Sequence, residues 1–143
     1  SATYVDQAAK VASGDCDVYL SCDSLVGVDP ANLKVASPER TTSIVSTTQV
    51  PTGLMVIDTS VGFPADSAVH SAVDSRVART VYLDSGAVST ALFGDEQYAN
   101  MLMVGAAYQA GALAISAESI ERAIELFRAL APRHMAPLWN RTD

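Results

Sequence analysis

The chain has 143 residues, with 9 Lys plus Arg against 16 Asp plus Glu and a net charge of −7. Apolar residues make up 49% and charged residues 17%, which excludes a disordered chain or a coiled coil and suits one domain with its own core. The acidic balance argues against nucleic acid or an anionic membrane surface as partner, since both require a basic patch. No run approaches the ~20 apolar residues that span a bilayer. The first residues also lack the basic-then-apolar pattern of a signal peptide, so a cytoplasmic location is expected.

Thr3 with Asp6 resembles a capping box with a shorter acid, and Asp6 and Lys10 form an i,i+4 ion pair. Val5, Ala8, Ala9 and Ala12 make an apolar stripe that Gly14 ends, which predicts a helix over 3–13. Residues 16–22 alternate with a period of two and read as a half-buried strand. Asp29-Pro30 then supplies an N-cap and an N1 proline for a short helix to about Ala36. The β-branched stretch Thr41 to Thr48 predicts a second strand, closed by the turn Pro51-Thr52-Gly53. The apolar run Leu54-Met55-Val56-Ile57 predicts a further one.

Pro64 opens a helix whose apolar positions include Ala65, Ala68, Val69, Ala72, Val73 and Val77. His70 falls on the opposite face, where a solvated surface histidine is expected. Thr80 to Leu83 is a compact strand ending at Asp84, and three helices should follow. The first covers roughly 85–92, and the second runs from an Asp95 cap to about Ala110, with Gly111 beyond it. That second helix is apolar almost all round (Met101, Leu102, Met103, Val104, Ala106, Ala107), so it must be buried in the domain or against a partner. Exposure of Met101, Met103 and Tyr108 would favour self-association into a homo-oligomer. The third helix is capped by Ser116, with Glu118 in its first turn, Ile115 able to staple onto Ile120, and Pro132 ending it. Residues 132–143 show no periodicity and are expected as an irregular tail. Strands alternating with helices predict an α/β fold: an open, mostly parallel sheet with flanking helices and a helical C-terminal third, one domain over 1–131.

Two cysteines, Cys16 and Cys22, fall short of the four ligands of an iron–sulfur cluster, and the distant His70 and His134 do not complete a zinc site, so no metal is expected. On an extended strand their Cα atoms would lie roughly 20 Å apart at ~3.3 Å per residue. A disulfide needs about 7 Å or less. They are expected as small buried residues. Glycine-rich phosphate loops and a G-x-S-x-G elbow are absent, and the two histidines disfavour a Ser-His-Asp triad, so no catalytic residue is assigned. Polar residues at the C-terminal ends of the strands, where ligands bind in open parallel sheets, are the remaining candidates: Asp23, Ser24, Thr48 and Asp84, with Thr47 and Ser85 beside them. Helix capping by Asp23 and Asp84 is the favoured plain role.

Several segments, in order, resemble the gamma domain of the 2-oxoacid:ferredoxin oxidoreductases, especially the indolepyruvate type. They are Cys16-Asp17-Val18-Tyr19-Leu20-Ser21-Cys22-Asp23, Arg40-Thr41-Thr42-Ser43-Ile44-Val45-Ser46-Thr47, Pro51-Thr52-Gly53, Phe63-Pro64 and Leu83-Asp84. The most specific part joins Thr90-Ala91-Leu92-Phe93-Gly94-Asp95 to Asn100-Met101-Leu102-Met103-Val104-Gly105 and to Ser116 through Leu126. Two features depart from the family pattern: its opening strand and glycine-rich turn are missing, and Phe127-Arg128 stands where the family has Asn-Gly. The chain is therefore expected to be an excised domain or a shortened subunit.

The resemblance implies an enzyme that decarboxylates a 2-oxoacid to an acyl-CoA on thiamine diphosphate with Mg, passing electrons through iron–sulfur clusters to ferredoxin. Those cofactors would sit on thiamine-binding and iron–sulfur domains or subunits beside this one, with none held by this chain. A stand-alone module binding CoA or a nucleotide is the alternative, and an independent hydrolase or transferase, which would need His70, is a third.

Overall fold

The computed structural model describes residues 11–49, 51, 55 and 62–130, with side chains to residue 126 in the last helix. Two compact units divide the chain, Ser1–Leu113 and Ala114–Asp143. The first is built on three parallel strands in the order β1 (Val18–Ser21), β2 (Thr42–Ser46), β3 (Arg79–Leu83). Leu20 lies opposite Ile44, and Ile44 opposite Val81. Two four-residue helices, α1 (Ser24–Gly27) and α2 (Pro30–Leu33), join β1 to β2, and α3 (Asp66–Asp74) precedes β3.

Both faces of the central strand are covered, as parallel sheets require. On one face Val45 packs with Leu33, Ala36, Val73 and Val77, so α2 and α3 lie on this side with Tyr19 and Tyr82 against them. On the other, Ile44 packs with Met103 and Ala107 of α5 (Ala99–Gln109), flanked by Val18, Val81 and Leu83. The period-two alternation of β1, β2 and β3 thus divides their side chains between two small cores. The α/β fold with a parallel sheet is as the sequence indicates.

Several boundaries move. Residues 11–13 are not helical, and the rest of the stretch expected as a helix over 3–13 lies outside the described residues, as do Pro132 and the tail. β1 and β2 are shorter than predicted, β3 starts one residue earlier at Arg79, and α2 stops at Leu33, where Lys34 is its C-cap. Of the run 54–57, only Met55 is described, and it is helical rather than extended. Helix α3 begins at Asp66, two residues past Pro64, with no side-chain cap. Val77 reaches the core from the turn after α3, which is why it fitted the helical pattern without belonging to the helix.

Helix α4 (Ser85–Phe93) ends where Gly94 adopts φ +75 and donates its N–H to the Thr90 carbonyl. The Asp95 carboxylate accepts from Gln97 N–H and starts a 3₁₀ turn, Glu96–Tyr98, that leads into α5. The helix predicted from Asp95 is thus two elements. Arg79 donates to the carbonyl of Ala110, the C-cap of α5, tying the start of β3 to the end of that helix. In the second unit α6 (Ala117–Leu130) begins as expected, with the Ser116 hydroxyl accepting from Ser119 N–H at 3.2 Å and Glu118 in the first turn.

Candidate functional site

The C-terminal ends of β2 and β3 carry a chain of hydroxyls. Ser46, fully buried at the end of β2, lies 2.8 Å from the Oγ of Ser85, the first residue of α4. The Ser46 hydroxyl donates to Thr48 Oγ1 at 3.0 Å, and Thr48 in turn donates to Asp84 Oδ1 at 2.9 Å. Each hydroxyl has one proton, so Ser85 must be the donor to Ser46. The protons therefore all run one way, Ser85 to Ser46 to Thr48 to Asp84. The backbone N–H groups close the arrangement: Gly86 donates to Thr48 Oγ1 at 2.8 Å, and Ala87 donates to Asp84 Oδ1 at 3.0 Å.

Gly86 is required by this contact. A Cβ there would lie 2.8 Å from Thr48 Cγ2 and 3.1 Å from its Oγ1, forcing the threonine away. Two candidates, Thr48 and Asp84, are thus brought together, and their polar atoms are engaged in holding β2, β3 and α4 in register.

Asp23 and Ser24 stand elsewhere, at the end of β1. The Asp23 carboxylate accepts from Leu25 N–H at 2.7 Å and Val26 N–H at 3.2 Å, capping α1. Its outer side borders an open depression of ≈ 550 Å³ that includes Leu20, Cys22, Val26, Ala31 and Asn32. Ser24 is buried and, with Thr47, Gln49, Phe63 and His70, lines a narrow recess of ≈ 10 Å³, about the size of one water. The four candidates therefore face three places, the depression, the recess and the hydroxyl chain, rather than one crevice.

His70 departs from the expected solvated position. It is half-buried, its ring stacked on that of Tyr82 at 3.9 Å between centroids and 25° between planes. The Tyr82 side chain extends from β3 across the flank of α3, which a helical wheel of α3 alone cannot show. Its hydroxyl donates to Asp74 Oδ1 at 2.9 Å, and Thr80 donates to the same oxygen at 2.7 Å. Burial, and then the Asp74 carboxylate, push the Tyr82 phenol well above the usual tyrosine range.

The cysteines are both free, as the spacing argued, but Cys22 is exposed because it lies just past the end of β1. Cys16 is partly buried and donates to the Val18 carbonyl; burial raises its thiol pKa, the opposite of an activated cysteine.

The apolar helix α5 resolves into two sides. Met103 and Ala107 are buried against the sheet, whereas Met101 and Tyr108 remain exposed. Sequence reasoning found the excess of apolar positions and missed that Leu92, Phe93 and Tyr98 continue the exposed side.

Among the described residues no three His, Cys, Asp or Glu side chains converge to hold a metal ion, and no helix is long and apolar enough to cross a membrane. No curated protein and no solved structure matches the chain. The family of pyruvate ferredoxin/flavodoxin oxidoreductases matches residues 13–131, which include all of β1 to β3 and all four candidate residues. The chain belongs to the pyruvate ferredoxin/flavodoxin oxidoreductase family.

Proposed function

We propose that this chain is a non-catalytic gamma-type module of a 2-oxoacid:ferredoxin oxidoreductase acting on indolepyruvate or pyruvate. The family match over residues 13–131 carries this reading, and the ordered segments from Cys16 to Leu126 support it. Residues 1–131 would act as one functional domain. In the whole enzyme, thiamine diphosphate with Mg and iron–sulfur clusters supply the oxidative decarboxylation to acyl-CoA and pass the electrons to ferredoxin.

This chain does not fit those groups. Its 2 cysteines fall short of four thiolates, and its described carboxylates do not gather into a metal-diphosphate site. Its contribution is then to dock beside the modules that hold the cofactors. The purified chain, given a 2-oxoacid, CoA and an artificial electron acceptor, should reduce none of the acceptor. Turnover by the chain alone would overturn the reading.

One observation favours a second reading, a small-ligand module: the ≈ 550 Å³ depression beside Asp23. Its described lining includes no Lys or Arg, and the Asp23 carboxylate works against a phosphate-bearing ligand. Titration with CoA, followed by NMR at Asp23, Ser24, Thr48 and Asp84, separates the two readings. Saturable shifts at those residues would favour the ligand module; unchanged spectra would remove it.

A further inference from the structure

From Thr90 to Tyr98 every residue is exposed. The segment runs from the end of α4 through the Gly94 turn and the 3₁₀ turn to the start of α5. Within it Leu92 is 65% exposed and Phe93 55%, and Met101 on the first turn of α5 is 50% exposed. Phe93 and Tyr98 meet edge-on, with ring centroids 5.2 Å apart, so these two rings are held together, with Leu92 and Met101 close to them in sequence. Large apolar groups clustered in this way mark an interaction surface.

The border of the patch shows what kind of surface would cover it. Asp95 and Glu96 are both exposed beside it, and the C-terminal carbonyls of α4 point the negative end of the helix dipole the same way. Two copies meeting through this patch would gather two Asp95 and two Glu96 carboxylates in one interface, on chains that each carry −7. A surface with an apolar anchor flanked by Lys or Arg would meet neither objection.

Resting on the gamma-module reading above, we propose that Leu92, Phe93, Tyr98 and Met101, bordered by Asp95 and Glu96, form the face that docks a basic-rimmed apolar surface on the neighbouring modules of the enzyme. The apolar side chains supply the hold, and the acidic border sets orientation and approach.

The test uses the assembled enzyme, with this chain co-purified with its thiamine-binding and iron–sulfur modules. A benzophenone amino acid at position 92 is photolysed, and the cross-links are mapped by mass spectrometry. They are expected on an apolar segment of those modules with Lys or Arg adjacent. Leu92→Ser should weaken association with the same modules by about tenfold, as loss of a central apolar contact does. Glu96→Lys should weaken it and flatten its dependence on salt. Leu92 is far exposed and Glu96 bears its side chain on the surface, so circular dichroism should report an unchanged fold for both variants. A chain that purifies with the modules but cross-links only to a second copy, or whose variants associate as tightly as the native chain, overturns the docking face and leaves the module reading standing. A chain that never associates with the modules overturns both.

Discussion

Ser43 is fully buried in the middle of β2, and among the described residues its hydroxyl meets no hydrogen-bonding partner. Nearby buried hydroxyls show the usual arrangement: Thr41, just before the strand, donates to the Cys16 carbonyl and accepts from Ser37 N–H, while Ser46 at its end enters the hydroxyl chain. A desolvated hydroxyl without a partner destabilises the fold. Ser43→Ala should therefore raise stability by about 0.5–1 kcal/mol, read from the urea midpoint. A loss of stability would mean that the hydroxyl is bonded in solution.

Tyr82 offers a second test at this scale. Its folded pKa lies above the value of about 10 in an unfolded chain. Above that pH the unfolded state releases the phenolic proton while the folded state keeps it, so stability falls as pH rises past 10. Tyr82→Phe should make the decline above pH 10 shallower. It should not abolish it, because burial also raises the Tyr19 phenol. An unchanged alkaline profile would rule out the Tyr82 phenol as a source of the decline. Neither residue could be singled out from sequence: an orphaned hydroxyl and a ring stacked on a helix flank depend on what crosses the sheet, which local spacing does not encode.

At the scale of elements, sequence was most informative where one residue type had one job. Asp23, Asp29, Asp84 and Asp95 all cap the turns that follow them, because a short carboxylate before a helix satisfies its free N–H groups. The glycines at the end of α4 and inside α5 show the same economy and where it stops. Gly94 has φ +75 with open space around it, so Gly94→Ala should destabilise by about 1 kcal/mol through backbone strain alone. Gly105 is exposed inside α5, also with open space, and its backbone is helical. Gly105→Ala should stabilise by roughly 0.5–1 kcal/mol by reducing the freedom of the unfolded chain. Opposite signs in thermal unfolding are the expected result, and a matching sign would contradict the helix boundary at Gly94.

The hydroxyl chain was half legible: Thr48, Asp84 and Ser85 stood out as strand-end residues, but their mutual bonding required the register of β2 against β3. Thr48→Val removes the acceptor of Gly86 N–H and the donor to Asp84, and should lower stability by about 1–3 kcal/mol. Thr48→Ser keeps the hydroxyl and should recover most of that loss. Equal losses in the two variants would assign the effect to the methyl group instead.

For the molecule as a whole, composition conveyed an apolar, acidic chain, the alternation of strands and helices conveyed its α/β class, and the pattern of α5 conveyed more apolar surface than one small core could cover. What it could not convey was which apolar residues remain outside, since that depends on which side of α5 meets the sheet. Met103 and Ala107 took the inner side against Ile44, leaving Met101 and Tyr108 outward. Covering that surface would stabilise the chain by linkage, because only the folded state presents it. The gain is RT ln(1 + [L]/Kd), about 2.7 kcal/mol when the partner modules are at a hundredfold excess over Kd. Hydrogen exchange of the chain alone and in the assembled enzyme should then differ in two ways. Globally exchanging amides of β2 should slow by a factor corresponding to that free energy, and protection should also appear across residues 90–101, of which 90–98 are all exposed in the chain alone. Slowing in β2 without protection at 90–101 would place the contact on another face. Identical exchange in both states would show that assembly covers no surface of this chain.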